Sequence, residues 1–456
     1  MELSREQQIA FDKYIRGENV FITGPGGSGK SALIKKIYHD AISREKEIQV
    51  CALTGCASIL LNCKAKTLHS WAGIGLGNGT IDQLVNKIKK NKYTKALWNS
   101  TDILVVDEVS MLSLKLFNVL NQIGKVIRKN ARPFGGIQVI FLGDFYQLPP
   151  VGNRDEPETQ QFCFESEDWN NVFPLSCQIT LVKIFRQTDD KYAAILNQIR
   201  QGIIKKSTID LLESSYVGRP RDPNLVVEPT KLFPTRNKVE YINHSKMSEI
   251  DGDIQVFHMK PHTDLEMTKN DRIARTSFTG EDIQREFDYL TGNLICDKEI
   301  KLKIGAQVMC IINYQSSSSS DRGLEICNGS QGIVIGFCQT TGCPRVKYNN
   351  GIVMVMSRHI WASEKIPGVG ISQIPLILAW ALTIHKSQGA TLDTAEIDVG
   401  DGIFECGQTY VALSRVKDLN GLYLTSFDAR KIRIHRKVKD FYQNLEMYYS
   451  SVGSAI

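Results

Sequence analysis

The sequence lacks the features that mark membrane proteins and secreted proteins. The apolar stretch Leu376–Ile384 is about half as long as a helix that spans a bilayer must be. Met1–Ala10 is polar and contains no apolar core of the kind that a secretory signal peptide needs. From these two absences we expect a soluble, intracellular protein that has no membrane partner.

Metal-binding and disulfide patterns are missing too. The 11 cysteines are odd in number and include no CxxC pair. The closest group, Cys327, Cys338 and Cys343, has no fitting histidine or fourth cysteine to complete a zinc site. We therefore expect reduced thiols with structural roles, as is usual inside cells.

A strong charge imbalance is also absent. The 55 Lys and Arg residues against 49 Asp and Glu residues give a net charge of +6. This small excess is compatible with a partner that has a phosphate backbone, but it is equally typical of many metabolic enzymes. Charge alone therefore does not select a function.

The composition that is present is that of a globular protein with more than one domain. The 456 residues are 42% hydrophobic and 23% charged, and the chain is too long for one ordinary core. The first half alternates short β-branched runs with helical patterns, which predicts a parallel sheet with crossover helices. The predicted strands there are Asn19–Thr23, Ile48–Leu53, Ile103–Val106 and Val139–Leu142.

The sequence between residues 301 and 362 has a different character. Short alternating stretches predict strands, and Asn349-Asn350-Gly351 between two of them is a strong hairpin signal. The run Ser316–Ser320 predicts a flexible loop. We expect a small β-barrel inserted into an α/β pattern that resumes after it. The predicted strands are Gly332–Phe337, Arg345–Tyr348 and Ile352–Met356.

The first functional signal is a phosphate-binding loop that fits the pattern GxxxxGK followed by Ser or Thr. Glycines allow backbone N–H groups to turn inward on phosphates, and a helix N-terminus adds a favourable dipole. Lys30 would neutralise the β- and γ-phosphates of ATP, and the Ser31 hydroxyl would hold Mg²⁺. The helix that follows is predicted to pack through Leu33, Ile34, Ile37, Tyr38, Ala41 and Ile42. The loop itself is Gly24-Pro25-Gly26-Gly27-Ser28-Gly29-Lys30-Ser31.

Two further predicted strands end in polar residues that suit the same nucleotide. Asp107 and Glu108 follow Ile103–Val106. Asp107 suits a contact to Mg²⁺, and Glu108 suits the base that positions and deprotonates the attacking water. Gln147 follows Val139–Leu142. Its amide can donate to a γ-phosphate oxygen and accept from water, so we predict that it senses the state of the nucleotide.

These segments together resemble a known family. The stretch Ile127–Gln138, running into Gly143–Pro150, is similar to the signature of Pif-type helicases, in the 5′→3′ branch shared with RecD-like enzymes. The resemblance covers residues 3 to about 427, and it departs from the family pattern at Asn118, where many members have an acid. The segments that resemble motifs I, II and III of superfamily 1 helicases are Lys30, Asp107-Glu108, and Gly143-Asp144 with Gln147.

The resemblance implies further nucleotide-binding residues. Leu3–Gln8 resembles the Q motif, in which Gln7 would contact the adenine base. Arg186 and Arg415, in segments that resemble motifs IV and VI, would reach the phosphates from a second lobe. Motif V is matched by His385–Gly389, which implies a nucleotide role for Gln388 and Gly389. The implied DNA-binding residues are Thr54, Thr67, His69 and His385.

The fold that the resemblance implies is α/β, with two RecA-like P-loop NTPase lobes, a small wedge insertion and an SH3-like β-barrel insertion. The first lobe would comprise residues 1–72 and 96–178, with residues 73–95 forming the wedge. Residues 179–250 and 363–435 would form the second lobe, and the intervening residues 251–362 would contain the barrel. Residues 436–456 would form a C-terminal helix and tail.

The implied activity is that of an ATP- and Mg²⁺-dependent DNA helicase acting in replication, repair or recombination. It would move 5′→3′ on single-stranded DNA as a monomer and unwind tailed or forked duplexes, in a nucleus or at a viral replication site. Lys87–Lys92 could follow phosphates, and Trp71 or Phe145 could stack on bases. An RNA or RNA–DNA hybrid helicase, a P-loop switch or small-molecule kinase, and a binding protein with a degenerate site are the alternatives.

Overall fold

The chain divides into two compact units. The first comprises Met1–Lys205, Glu405–Val411 and Ile432–Ile456, and the second comprises Lys206–Phe404 and Ala412–Lys431. The predicted loop Ser316–Ser320 lies outside the described residues. The structure, a computed structural model, describes residues 3–54, 61, 63–75, 77, 79–153, 155–187, 189–223, 225–268, 271–272, 275–276, 278–314, 326–363 and 366–453.

Helices and strands follow one another along the chain as follows. The α-helices within the described residues are α1 (Arg5–Ile15), α2 (Lys30–Ser43), α3 (Leu68–Ala72), α4 (Ile81–Lys90), α5 (Lys92–Ser100), α6 (Leu114–Ile127), α7 (Trp169–Val172), α8 (Asp190–Gln201), α9 (Lys206–Ser215), α10 (Arg236–Glu249), α11 (Gly280–Asn293), α12 (Gln408–Leu413) and α13 (Arg436–Ser451). The strands are β1 (Val20–Thr23), β2 (Ile48–Ala52), β3 (Lys66–Thr67), β4 (Ile103–Asp107), β5 (Gln138–Gly143), β6 (Gln178–Thr180), β7 (Thr230–Phe233), β8 (Gln255–His258), β9 (Lys260–His262), β10 (Glu299–Leu302), β11 (Gln307–Cys310), β12 (Gln331–Phe337), β13 (Pro344–Tyr348), β14 (Val353–Val355), β15 (His359–Ala362), β16 (Gly370–Gln373), β17 (Leu376–Leu378), β18 (Ala381–Thr383), β19 (Ala395–Val399) and β20 (Leu422–Phe427).

The first unit is built on a parallel sheet with the strand order β3-β2-β4-β5-β1-β6. The four strands predicted for this half are confirmed as β1, β2, β4 and β5. Every residue of β1 and β4 is buried, because both strands are covered on their two faces, as is typical of parallel sheets. Since the strands run in parallel, the loops after β1, β4 and β5 leave the same edge of the sheet.

Apolar side chains form a core on each face of this sheet. One core contains Leu33, Ile34 and Ile37 of α2, which confirms most of the predicted packing face of that helix. Ile42 was also placed on this face, but 53% of its surface is exposed, because it lies in the last turn of α2, beyond the edge of the core. The other core is rich in aromatic rings and includes Tyr442 of α13.

The local signals at the helix ends explain where several helices begin. Ser4 caps α1 and forms a reciprocal capping box with Gln7. Ser113 caps α6 by accepting from the N–H of Leu116. On α6, the side-chain oxygen of Asn118 accepts a 2.6 Å hydrogen bond from the Ser166 hydroxyl. Asparagine at this position can therefore accept a hydrogen bond, as the acid of other family members could.

The second unit contains a parallel sheet with the order β18-β7-β19-β20. An antiparallel sheet, β14-β13-β12-β11-β17, contains the three strands predicted between residues 331 and 356. The predicted hairpin is confirmed, because Gly351 donates to the carbonyl of Tyr348 in the turn between β13 and β14. Two smaller sheets, β15-β16-β9 and β10-β8, complete the unit's described strands.

The second unit also contains a strongly apolar stretch. Leu376–Ile384, the apolar stretch noted in the sequence, forms β17 and β18 and is not helical. Among the described residues, no helix has the length and apolar character needed to cross a membrane. Six of the cysteines in the described ranges are buried, as structural thiols would be: Cys51, Cys63, Cys163, Cys177, Cys296 and Cys310.

Candidate nucleotide site and DNA-contacting residues

The phosphate-binding loop connects β1 to α2 in the first unit. Gly29 caps α2 with a φ of 83°, and Gly27 has a φ of 85°, a conformation that residues with a Cβ rarely adopt. A Cβ atom at Gly27 would also lie 2.4 Å from the Cβ of Arg186. The loop therefore needs glycine at Gly27 for its backbone conformation and for the close approach of Arg186.

Lys30 lies at the first turn of α2 and points back into the loop. Its Nζ donates to the carbonyl oxygens of Gly24 at 2.6 Å and Pro25 at 3.0 Å. Burial lowers the pKa of Lys30, and the carboxylate of Asp144 is the strongest of the nearby charges that oppose this shift. The loop thus holds a cation beside the N-terminus of a helix, where anions are favoured.

Asp107 and Glu108 stand at the end of β4, as predicted. Asp107 is 7% exposed, and burial raises its pKa above the ordinary value, with a further contribution from the charge of Glu108. Its carboxylate accepts from the N–H of Glu108 at 2.9 Å. Glu108 has a φ of 57° and a ψ of 40°, a left-handed conformation that costs a residue with a Cβ about 1–2 kcal/mol. Local strain of this kind is concentrated at functional sites.

The loop after β5 begins with Asp144, which is fully buried. Arg200 on α8 donates to both carboxylate oxygens, at 2.8 and 2.9 Å, and its guanidinium lies 4.5 Å from the ring centre of Tyr146. Gln147 is 6% exposed, and its N–H donates to the carbonyl of Asp144 at 2.8 Å. The buried ion pair thus fixes the base of the loop that contains the predicted sensor. Sequence reasoning missed Arg200, which belongs to no recognised motif.

Arg186 belongs to the first unit, which corrects the prediction that a second lobe supplies it. The segment from β6 continues directly to Arg186, and β6 pairs with β1 in the first sheet. The N–H of Phe185 donates to the carbonyl of Gly27 at 2.8 Å, which brings the segment against the phosphate-binding loop. Burial lowers the pKa of Arg186, and the nearby charge of Glu108 opposes the shift.

Two other side chains touch the phosphate-binding loop. Gln7 is fully buried, and its amide donates to the carbonyls of Ser28 at 3.2 Å and Gly29 at 3.4 Å while its oxygen accepts from Ser4. Gln7 therefore supports the loop, and its contact with adenine stays a prediction. The Tyr410 hydroxyl accepts from the N–H of Gly26 at 2.8 Å, a contact that sequence reasoning did not anticipate.

Ser31 and Asp107 are the predicted Mg²⁺ ligands. Ser31 is exposed in the first turn of α2, and Asp107 is buried at the end of β4. Hydroxyl and carboxylate oxygens are the donors that Mg²⁺ takes in proteins, together with phosphate oxygens and water. The chemistry of this pair therefore fits the ion.

The predicted DNA-binding residues of the first unit lie near the edge strand β3. Thr67 is 6% exposed, and its hydroxyl accepts from the N–H of Ser70 at 3.3 Å, which caps α3. His69 is half-buried, burial lowers its pKa, and it lines a cavity of about 230 Å³ together with Leu53 and Met111. Thr54, at intermediate exposure, follows β2 in the chain.

The aromatic candidates for base stacking are not available for it. Trp71 is fully buried and packs on Trp98 with ring centres 4.5 Å apart. Phe145 is 2% exposed and stacks on Phe21 at 5.2 Å. The suggestion that these two side chains could stack on bases is therefore wrong, because both are needed in the aromatic core of the first unit.

The remaining predicted residues belong to the second unit. Arg415 is 2% exposed and donates to the hydroxyl of Ser414 at 2.7 Å. His385 is exposed just after β18 and lines a cavity of about 520 Å³ within this unit. The N–H of Gln388 donates to the carbonyl of His385, and Gly389 has a φ of 83°. Motif V thus forms a tight turn after a parallel strand.

The comparisons with known proteins match this architecture. Residues 2–209 match the family model described as PIF1-like helicase, and residues 288–337 match the model described as DNA helicase Pif1, 2B domain. The chain is 36% identical to the ATP-dependent DNA helicase PIF1 of Emericella nidulans, covering 94% of this chain and 61% of that protein. It is 33% identical to the ATP-dependent DNA helicase RRM3 of Saccharomyces cerevisiae, covering 97% of this chain and 68% of that protein. The chain thus spans roughly two thirds of the length of these relatives.

Solved structures show the same likeness in three dimensions. The Pif1 helicase of Candida albicans is 36% identical, with a TM-score of 0.74 over 98% of this chain and 100% of that one. The Pif1 of a Bacteroides species in complex with ADP-AlF4 is 29% identical, with a TM-score of 0.76 over 99% and 98% of the two chains. The Bacteroides Pif1 bound to single-stranded DNA is 28% identical, with a TM-score of 0.63 over 99% and 98%. The chain has a RecA-like helicase fold and belongs to the PIF1-like helicase family.

Proposed function

We propose that this protein is an ATP-dependent DNA helicase that moves 5′→3′ along single-stranded DNA and unwinds the duplex ahead of it. The observation that supports this most directly is the convergence of three polar segments at one sheet edge. β4, β5 and β1 are neighbours in the sheet, so Lys30, Asp107-Glu108 and the loop of Gln147 face a common space. That arrangement suits hydrolysis of a nucleoside triphosphate. The DNA would bind to other surfaces of the protein.

The nucleotide chemistry follows from these side chains. On ATP binding, the ammonium group of Lys30 exchanges its loop carbonyls for the β- and γ-phosphate oxygens. It thereby places a positive charge beside the phosphates at a helix N-terminus. Ser31 and Asp107 would hold Mg²⁺, which would supply charge neutralisation at the phosphates. Glu108 takes the proton of the attacking water, and Gln147 orients that water and reports the loss of the γ-phosphate.

Arginines complete the site. Arg186 lies beside Gly27 and Glu108, and its guanidinium stabilises charge that develops on the phosphates. Arg415, with Gln388 and Gly389, does the same from the second unit when ATP is bound. Hydrolysis of ATP then drives movement along the strand.

DNA contacts and subdomains extend the same proposal. Thr54, Thr67 and His69 in the first unit and His385 in the second hold the strand. Residues 73–95 form the wedge that splits the duplex, and the β-rich residues 251–362 include an SH3-like module that guides the strand. Residues 96–205 complete the first lobe, and residues 206–250 with 363–404 and 412–431 form the second lobe.

The relatives support this substrate. Relatives of this chain are ATP-dependent DNA helicases, and the Bacteroides Pif1, which is 28% identical, has been solved bound to single-stranded DNA. We infer that this chain binds single-stranded, tailed and forked DNA, acts as a monomer while translocating, and works where DNA is replicated, in a nucleus or at a viral replication site.

The test is strand separation with ATP and Mg²⁺ on duplexes with a 5′ tail, a 3′ tail or none. We expect unwinding from the 5′ tail alone. Glu108→Gln keeps the shape of the side chain but removes its basic carboxylate, so this variant should bind nucleotide without unwinding. Unwinding from the 3′ tail alone would overturn the direction, and absence of unwinding on every DNA substrate would overturn the activity. A matched RNA duplex unwound in preference to DNA would assign the helicase to RNA.

A further inference from the structure

The C-terminal helix α13 reaches the nucleotide site through one hydroxyl group. The hydroxyl of Tyr442 lies 2.6 Å from the hydroxyl of Thr23 and 3.1 Å from the N–H of Phe145, which donates to it. It also donates to a carboxylate oxygen of Asp144 at 3.3 Å. Tyr442 is 6% exposed, and Thr23 and Asp144 are fully buried. One side chain thus connects the ends of β1 and β5.

The hydrogen bonds at this hydroxyl form a consistent set. A phenol has one proton to donate and two lone pairs to accept with. If Tyr442 donates to Asp144, its lone pairs accept from the Thr23 hydroxyl and the Phe145 N–H, and no atom of the group lacks a partner. Burial raises the pKa of Tyr442 well above its ordinary value, so the hydroxyl stays protonated and able to donate.

Ring contacts hold the same side chain in place. The rings of Tyr442 and Tyr146 stack with centres 4.5 Å apart and planes 8° apart. The guanidinium of Arg200 lies 5.5 Å from the centre of the Tyr442 ring while it pairs with Asp144. The ring therefore has little freedom to move, and its hydroxyl is fixed at the junction of the two loops.

The connected residues lead directly into the nucleotide site. Thr23 is followed by Gly24, the first residue of the phosphate-binding loop. Asp144 begins the turn that contains Gln147, and the Gln147 N–H donates a hydrogen bond to the backbone carbonyl of Asp144. A change in the spacing of Thr23 and Asp144 would therefore move the predicted sensor relative to the phosphates.

We propose that Tyr442 is a positioning residue for ATP hydrolysis, which holds the Gln147 loop at the spacing from the phosphate-binding loop that the hydrolysis step requires. This inference rests on the ATPase activity of the proposed function. Because the hydroxyl acts on hydrolysis through Thr23 and Asp144, its loss should lower kcat and leave KM for ATP nearly unchanged.

The test compares Tyr442→Phe with Tyr449→Phe. Tyr449 lies on the same helix, and its hydroxyl donates to the carbonyl of Gln178 at 2.5 Å. Each variant therefore removes one hydroxyl group of α13, which makes three hydrogen bonds at Tyr442 and one at Tyr449. We expect kcat to fall about tenfold in Tyr442→Phe, as for the loss of a hydrogen bond to a charged group, with KM changed by less than about twofold. Tyr449→Phe should keep the wild-type kcat. The melting temperatures of both variants show whether each stays folded at the assay temperature, so that a difference in kcat is not a difference in the folded fraction.

Thr23→Val removes the same hydrogen bond from the other side, and it decides the question if Tyr442→Phe does not fold. It should lower kcat in the same way, and the double variant should lose less than the product of the two single effects, because both act through one contact. Equal kcat in Tyr442→Phe and Tyr449→Phe, or independent effects in the double variant, would overturn the inference.

The rate of ATP hydrolysis is measured with and without single-stranded DNA. Wild-type turnover that DNA does not stimulate contradicts the proposed function, while the ratio of the two Phe variants still decides the role of Tyr442.

Discussion

The buried pair of Arg200 and Asp144 gives the sharpest prediction about stability. Arg200 is 8% exposed and Asp144 is fully buried, and their two hydrogen bonds are 2.8 and 2.9 Å long. Arg200→Met keeps the aliphatic stem and the volume but removes the cation. Asp144 would then keep its hydrogen bonds from the Tyr146 N–H and the Tyr442 hydroxyl, at 3.2 and 3.3 Å, without its ion-pair partner.

An uncompensated buried charge of this kind costs about 3–5 kcal/mol when one partner of a buried pair is removed. We expect the free energy of unfolding of Arg200→Met to fall by that amount in chemical denaturation at neutral pH. Adding Asp144→Asn should recover part of the loss, because the side-chain oxygen still accepts from its neighbours while the unpaired charge is gone.

Arg285→Met is the matched control. Arg285 pairs with Glu281 one turn away on α11, but the two side chains are 71% and 83% exposed. Exposed pairs contribute little to stability, so this variant should unfold like the wild type. A loss in Arg200→Met no larger than that in Arg285→Met, or no recovery in the double variant, would refute the reasoning about the buried pair.

Two further predictions concern the phosphate-binding loop and acid stability. Gly27→Ala should abolish binding of a fluorescent ADP analogue, because the new Cβ would lie 2.4 Å from that of Arg186, whereas Gly17→Ala, with no atom within 4 Å, should bind normally. The pKa of Glu18 is lowered to about 2, first by the hydrogen bond from the Cys177 thiol, so its ionised form stabilises the folded state above the ordinary value of 4.5. The stability advantage of wild type over Glu18→Gln should shrink as the pH falls from 4.5 through about 2, and an advantage that stays constant would contradict this.

Local pattern was sufficient to predict much of the nucleotide site. A β-branched strand, a glycine-rich loop and an amphipathic helix stand next to one another in the chain, so Lys30 and its setting follow from sequence alone. The same holds for Asp107 and Glu108 at the end of β4. The left-handed conformation of Glu108 could not be predicted, because nothing in the neighbouring residues requires it.

Contacts between residues that are far apart in the sequence could not be predicted from local sequence patterns. Arg200 and Tyr442 reach Asp144 from 56 and 298 residues away, and neither lies in a segment with a recognisable motif. The error over Trp71 and Phe145 has the same origin. Whether an aromatic side chain after a strand faces solvent or the core depends on the helices that pack there, and α5 and α13 supply Trp98 and Phe441 as ring partners.

The helix α11 begins with a capping signal from which it could have been predicted. No element was assigned between residues 250 and 300, yet Thr279 and Asp282 form a capping box at the start of this helix. The spacing of a threonine and an acid three residues later is visible in the sequence. The β-strands of the same region have exposed, irregular patterns and gave no comparable signal.

The most direct test of the proposed motor is the steady-state rate of ATP hydrolysis with and without single-stranded DNA, for the wild type and Lys30→Ala. We expect strong stimulation by DNA in the wild type, because the proposed motor couples ATP hydrolysis to movement along the strand. Lys30→Ala should lose turnover under both conditions, because the phosphates lose their cation. A rate of ATP hydrolysis that is the same with and without DNA, or that persists in Lys30→Ala, would contradict the proposal that this chain is a DNA-dependent motor that hydrolyses ATP at this site.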